Sequence, residues 1–321
     1  MKNKPIVLVA GEPFSIFFEI FFKSLKTTNY KSPLVLIGCE KLLLKQMKDN
    51  KFKKPIKKLK INKLSNLHIN NKSINLIDVR LKNLSHKKYK NEFTREYIKK
   101  SFDIAFHLIK SKFTHKLING PINKKSFLNK KFYGVTEYIS SYFNKDKVGM
   151  LIYNKRLSVC PLTTHLPIKL VAKNITKKLI EKKIEIIDTF FKKNLNISPK
   201  IAVTGMNPHC ESILKYNEDD QIVYSAIKAK FKKGINVKGP YPADTLFLSE
   251  NRKRFNVILG MYHDQVLGPF KTLFEYDAIN ITMGLPFLRV SPDHGPNQKM
   301  VGKNKSNPQS LVKALKFLDN K

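Results

Sequence analysis

Three apolar runs of the chain close on a histidine: LSVCPLTTH at His165, IAVTGMNPH at His209 and FNVILGMYH at His263. Neutral imidazole is a common ligand of divalent metals, and three imidazoles can hold an ion while leaving positions open for a substrate. The ligand type suits zinc, nickel, cobalt or iron, so it does not fix the ion. A lone histidine after an apolar run is more often a satisfied structural side chain. Three in equivalent settings point instead to a site, each flanked by small or polar residues: Thr163 and Thr164, Asn207 and Pro208, Asp264 and Gln265. The third run is the sharpest. Val257, Ile258 and Leu259 read as buried strand and give way within a few residues to His263, Asp264 and Gln265, and a charged group has no place in a core without a partner. His68, His86, His107, His115 and His294 share no such context, although His294 sits in a loop, SPDHGP.

A second set of residues suits an anion. Lys271, Asn280 and Arg289 fall within nineteen residues of one another on segments that leave the His263 run. Together they offer a point charge, a directional amide and a bidentate fork, the groups that grip phosphate or carboxylate. GVTEYIS, from Gly134, reads as a helix N-terminus where Thr136 presents its hydroxyl beside backbone N–H groups.

The elements that must position these residues alternate. PIVLVA is a short β-branched run, followed by Phe14, Phe17, Phe18, Phe21, Phe22 and Leu25 at helical spacing, a core-packing stripe. SPLVLIGC, NLIDV, HKLINGP, VGMLIY and AINITMG repeat the strand theme. TREYIKKSFDIAFHLIK and ITKKLIEKKIEIIDTFFKKN read as helices. Alternation of this kind predicts an α/β fold with a largely parallel sheet, whose ligands bind outside the carboxyl ends of the strands. Neither G-x-G-x-x-G after the first strand nor a P-loop is present, so spacing alone reveals no nucleotide cofactor.

Composition narrows the class. The 321 residues suffice for about two domains. FSIFFEIFF carries Glu19 and is too short to span a bilayer, and it follows GEP rather than a basic leader, so the chain reads as cytoplasmic with no membrane partner. Cys39, Cys160 and Cys210 lack paired spacing, which argues against disulfides and against a cysteine zinc site. Sixty-one Lys and Arg against 24 Asp and Glu give a net charge of +37. The excess is almost all lysine and is spread along the chain, as solvated faces would be. The densest stretch, Lys48 to Lys63, reads as a solvated face or loop, and no nucleic-acid module accompanies it.

MYHDQVLGPFK, continuing through INITMGLPFLRVSPDHG, resembles the family of 4-hydroxythreonine-4-phosphate dehydrogenases of pyridoxal phosphate biosynthesis. TTH at 163–165, GMNPH at 205–209, GPYPADTLF at 239–247 and the opening GEP resemble it too, in order along essentially the whole chain. The resemblance implies two α/β/α domains with a cleft between them, as in isocitrate and isopropylmalate dehydrogenases, and a homodimer whose active site is shared between subunits. The expected domains are residues 1–134 with 297–321, and 135–296, the second carrying metal ligands and dimer contacts. The implied reaction oxidises 4-phosphooxy-L-threonine with NAD or NADP to a β-keto acid. Loss of carbon dioxide then gives 3-amino-2-oxopropyl phosphate. The implied metal ligands are His165, His209 and His263, the third contributed across the dimer, for one divalent ion (zinc, magnesium or cobalt). Substrate contacts fall on Thr136, Lys271, Asn280 and Arg289. Lys271, Asp244 and Asp264 are the candidates for proton transfer or for support of the ligands.

The sequence departs from the family pattern in four places. Val135 stands where a histidine is usual. The opening reads GEPFSIFFE in place of a glycine-rich loop, with phenylalanines where close backbone approach is expected. CESILKYNEDD replaces a glycine-rich segment after NPH, and HGPNQKMVGKN lacks an acidic residue near the expected nucleotide. Alternative expectations are therefore a sister dehydrogenase acting on phosphothreonate or phosphoerythronate, or a diverged homologue without catalysis.

Overall fold

Each β-branched run named above becomes a strand in the computed structural model of the chain, which describes residues 3–66, 68–82, 91–123, 127–128, 132, 134–213, 216–292 and 295–321. His86 and His294 lie outside the described residues. Backbone contacts divide the chain into two units, Met1–Tyr138 with Pro286–Lys321, and Ile139–Leu285.

The first unit holds β1 (Ile6–Val9), β2 (Leu34–Gly38), β3 (Ile56–Lys58), β4 (Ile74–Asp78), β5 (Lys116–Asn119) and the late strand β12 (Leu288–Pro292). They run in the order β3-β4-β2-β1-β5-β12, and every pairing is parallel. All four residues of β1 are fully buried, as expected of a parallel strand covered on both faces. The helix Phe17–Thr27 buries Phe17, Phe18, Phe21 and Phe22, so the periodic stripe is core. Phe17 and Phe18, in the GEPFSIFFE opening, are 1% and 3% exposed and pack inward. Gly120 makes room for this packing. A Cβ there would lie 2.7 Å from the Phe17 ring and would meet the Ala10 carbonyl oxygen. β3 lies inside the lysine-rich stretch read as a solvated face or loop. It is an edge strand whose Lys57 and Lys58 are exposed, and charge of this kind discourages edge-to-edge pairing.

The second unit holds β6 (Gly149–Tyr153), β7 (Ser158–Thr163), β8 (Ile201–Thr204), β9 (Val237–Tyr241), β10 (Val257–Tyr262) and β11 (Ile279–Met283). Their order is β11-β6-β7-β10-β8-β9. β6 is antiparallel to both neighbours, and the remaining pairings are parallel. The three strands that end in histidine segments are consecutive in the sheet, β7-β10-β8. Register aligns Tyr262 with Thr163 and Leu259 with Val203, so their carboxyl ends emerge together. Thr136, on the helix Val135–Tyr142, and Arg289, on β12 beside β5, belong to the first unit. Among the described residues no helix is long and apolar enough to cross a membrane.

Candidate functional site

β10 passes directly into the helix His263–Phe274, so His263 opens the helix where the strand stops. The turn is tight enough to require Gly260, since a Cβ there would meet Val266 Cγ1. Beside it, Thr163 donates its hydroxyl to the Met261 carbonyl at 2.8 Å, fixing the end of β7 to the end of β10. The His165 and His263 rings consequently face one another, with centroids 6.3 Å apart and planes at 36°. They line a cavity of about 290 Å³ with Thr163, Thr164, Tyr262 and Asp264. His263 Nδ1 lies 2.6 Å from Asp264 Oδ1. A carboxylate on Nδ1 holds the proton there and turns the Nε2 lone pair outward, the arrangement that supports a metal-ligating imidazole. Asp264 thus stands behind His263.

His209 arrives differently. It sits in a short turn at φ 56°, ψ 10°, and is exposed. The turn is anchored by Asp219, fully buried, whose carboxylate accepts from the Met206 N–H at 2.6 Å and the Asn207 N–H at 3.0 Å. Asn207 donates to Glu218 at 3.2 Å. Burial, together with the carboxylates of Asp219, Asp220 and Asp244, pushes the Cys210 thiol up to about 11. Asp244 is exposed in the helix Ala243–Leu246, within electrostatic reach of this turn. A chain of net charge +37 thus gathers carboxylates around its histidine-bearing strand ends, which locally favours a cation.

Among the described residues, no group of three or more His, Cys, Asp or Glu side chains gathers as a metal cage. The fold brings His165 and His263 together and leaves His209 apart. Two imidazoles on one ion, each with a metal–nitrogen distance of about 2.1 Å, place their ring centres roughly 5–6 Å apart. The pair stands slightly wider than this, at 6.3 Å, with one imidazole backed by a carboxylate.

Two further residues of this unit carry polar groups suited to a substrate. Asn280 lies on β11 opposite Ile152, and its Oδ1 is buried without a hydrogen-bond partner. Such an acceptor costs about 1–3 kcal/mol unless a ligand donates to it. Lys271 is half-buried on the helix Val266 and Phe270 anchor, and burial lowers its pKa from the usual lysine value.

In the first unit Arg289, 3% exposed, donates from Nε to Asn119 Oδ1 at 2.8 Å and from Nη1 to Thr136 Oγ1 at 3.2 Å. Burial pulls its pKa down to about 10, offset in part by the Glu137 carboxylate, so it stays charged at neutral pH. Asn119 was not singled out by the sequence reading, yet its signal matches that of the histidines: a polar residue at the carboxyl end of an apolar strand. Val135 is 9% exposed. The segment from Gly295 to Lys305 places Asn297, Gly302 and Asn304 at positive φ and exposes Lys299, Lys303 and Lys305. The Ile16 N–H donates to the Pro296 carbonyl at 3.2 Å. The far end is clamped by Lys23, which donates to the Asn304 and Ser306 carbonyls, and by Glu19, which accepts from the Ser306 N–H at 2.6 Å. A turned, basic segment suits the pyrophosphate of a dinucleotide.

Comparison with known proteins covers nearly the whole chain. The family model of pyridoxal phosphate biosynthetic protein PdxA matches residues 29–318. A 4-hydroxythreonine-4-phosphate dehydrogenase of Sulfurihydrogenibium is 34% identical, covering 97% of this chain and 96% of that one. A D-threonate 4-phosphate dehydrogenase of Pectobacterium atrosepticum is 30% identical, covering 98% of each. The crystal structure of a 4-hydroxythreonine-4-phosphate dehydrogenase from Klebsiella pneumoniae superposes with a TM-score of 0.84 at 28% identity, covering 98% of each chain.

Proposed function

The chain belongs to the family of pyridoxal phosphate biosynthetic protein PdxA and is an oxidoreductase, and from that premise we propose that it oxidises 4-phosphooxy-L-threonine with NAD or NADP. The product is a β-keto acid that loses carbon dioxide to give 3-amino-2-oxopropyl phosphate. The observation that carries the reading is the facing pair His165 and His263, at adjacent strand ends and backed by Asp264.

In this reading His165 and His263, which face one another within one chain, hold a divalent ion (zinc, magnesium or cobalt), and the histidine contributed across the dimer is His209 rather than His263, the one the resemblance implied. Large apolar side chains support association through this unit: Ile168 is 71% exposed, Tyr216 53%, and Ile213 wholly exposed. When bound, the ion supplies Lewis-acid stabilisation of the charge that develops on the substrate oxygen, and the nicotinamide takes up the hydride. The chain's own residues bind and orient. Arg289, held by Asn119 and Thr136, supplies a fixed positive charge for an anionic group of the substrate. Lys271 adds a second positive charge, and its lowered pKa suits it to pass a proton. Asn280 Oδ1 accepts from a substrate hydroxyl or amino group. Asp264 orients His263, and Asp244, near the turn that carries His209, is a candidate to move a proton.

A second reading has its own support. Val135 replaces a polar contact with an apolar one, and a relative 30% identical along its length is named for D-threonate 4-phosphate. Steady-state assays of the metal-loaded protein with both phosphorylated acids, each with NAD and NADP, separate the two. Greater kcat/KM for 4-phosphooxy-L-threonine, abolished by His209→Ala, supports the first reading. Preference for D-threonate 4-phosphate replaces it with the second, and no turnover with no nucleotide binding leaves a non-catalytic homologue.

A further inference from the structure

We propose that Gln265 is the positioning residue that sets where His209 stands relative to His263. The inference rests on the metal reading above for its consequence, but the brace itself is geometric. Gln265 lies in the first turn of the helix that His263 opens. Its Oε1 accepts from the Met261 N–H at 2.7 Å and from the Thr204 hydroxyl at 2.7 Å. Its Nε2 donates to the Gly205 carbonyl at 2.8 Å. One side chain thus joins the end of β10, the end of β8 and the first residue of the turn that carries His209.

The brace continues on both sides. Met261 is held at its N–H by Gln265 and at its carbonyl by Thr163, two residues before His165. Beyond Gly205 the next two N–H groups, of Met206 and Asn207, are taken by Asp219. Backbone bonding is therefore secured up to Pro208, and only then does the chain adopt the left-handed conformation at His209. That conformation is uncommon for a non-glycine residue and persists where surroundings dictate it. The amide suits this place because it offers an acceptor with two lone pairs and a donor on one planar group. Glutamate would present a second acceptor to the Gly205 carbonyl, and leucine would remove the partner of the Met261 N–H and the Gly205 carbonyl and leave the Thr204 hydroxyl only the Leu259 carbonyl at 3.5 Å. No polar group of Gln265 remains to serve as a ligand, so it acts through the histidines.

The test uses the full-length chain and four variants: Gln265→Leu, Gln265→Glu, Thr204→Val and Thr204→Ser. Hydrogen–deuterium exchange of the metal-free protein reads the turn, and titration with Co²⁺, followed by its visible d–d absorption, reads the ligand set. Gln265→Leu and Gln265→Glu are expected to speed exchange across 205–210 selectively. Both should weaken Co²⁺ binding by about ten- to a hundred-fold, with an altered d–d spectrum, as loss of a ligand's support does. Thr204→Val should show a smaller loss that Thr204→Ser restores. Unchanged Co²⁺ affinity in Gln265→Leu would overturn the proposal. So would equal acceleration of exchange in β6 and β11, which marks general destabilisation. If the parent protein binds no Co²⁺, the metal reading fails, and exchange at 205–210 alone decides whether the brace exists.

Discussion

Arg289 is 3% exposed and already bonded to Asn119 and Thr136, whereas His165 and His263 line a cavity and His209 is exposed on a strained turn. The contrast follows from where each set sits in the sequence. Arg289 and Asn119 lie on paired parallel strands: register sets Arg289 opposite Leu117, and its long side chain reaches Asn119 two residues further along. The histidines lie just past strand ends, where turns decide their direction. The first arrangement is a clamp finished within one chain. The second is a facing pair at a cavity, with the third histidine apart on an exposed turn.

The largest expected effect falls on the facing pair. His263→Ala should lower kcat/KM by about 10³-fold or more and abolish stoichiometric metal binding. The melting temperature of the metal-free protein should change little, because the His263 side chain is 37% exposed. Retained metal content by elemental analysis would break the comparison. Next comes the finished clamp. Arg289→Lys keeps the charge and removes the fork, so KM for the phosphorylated substrate should rise about ten- to a hundred-fold with kcat little altered. An unchanged KM would mean that Arg289 serves the fold only.

Asp219→Asn sharpens the comparison at the turn. It keeps one acceptor oxygen for two N–H groups, and Co²⁺ affinity should drop roughly ten-fold, through loosening of the His209 segment. The smallest effect is a pH dependence. Burial lowers the Lys271 pKa in the folded state, so the unfolded chain holds this proton more tightly. Stability should therefore rise as pH climbs from the lowered folded value toward the ordinary lysine value, and Lys271→Met should lose that rise. Over the same window the lysine gives up its charge, and KM should increase a few-fold. A flat alkaline profile in urea titrations of the parent protein would contradict this.

The strands were legible because fully buried parallel strands are continuous apolar runs, as IVLV in β1 shows. The reversal of β6 was not, since GMLIY buries the same side chains in either direction. β3 was missed because an edge strand rich in lysine looks like any solvated stretch. The site residues were recognisable by type, a polar group at the end of an apolar strand. The supports were not: Gln265 reaches residues about 60 positions away, and no local pattern announces such a bond. Asn119 carried the same signal as the histidines, a polar residue closing an apolar strand.

Complementation tests the central claim most directly. His209→Ala and His263→Ala chains, each with a different affinity tag, would be co-expressed and the doubly tagged dimer isolated. If His209 of one chain completes the pair formed by His165 and His263 of the other, that dimer holds one intact site and one site lacking two ligands. It should recover up to about half the parent activity and one metal ion per dimer, while each parent variant shows neither. No recovery in a stable mixed dimer would contradict the account, because it would mean that His209 and His263 serve the same site from the same chain.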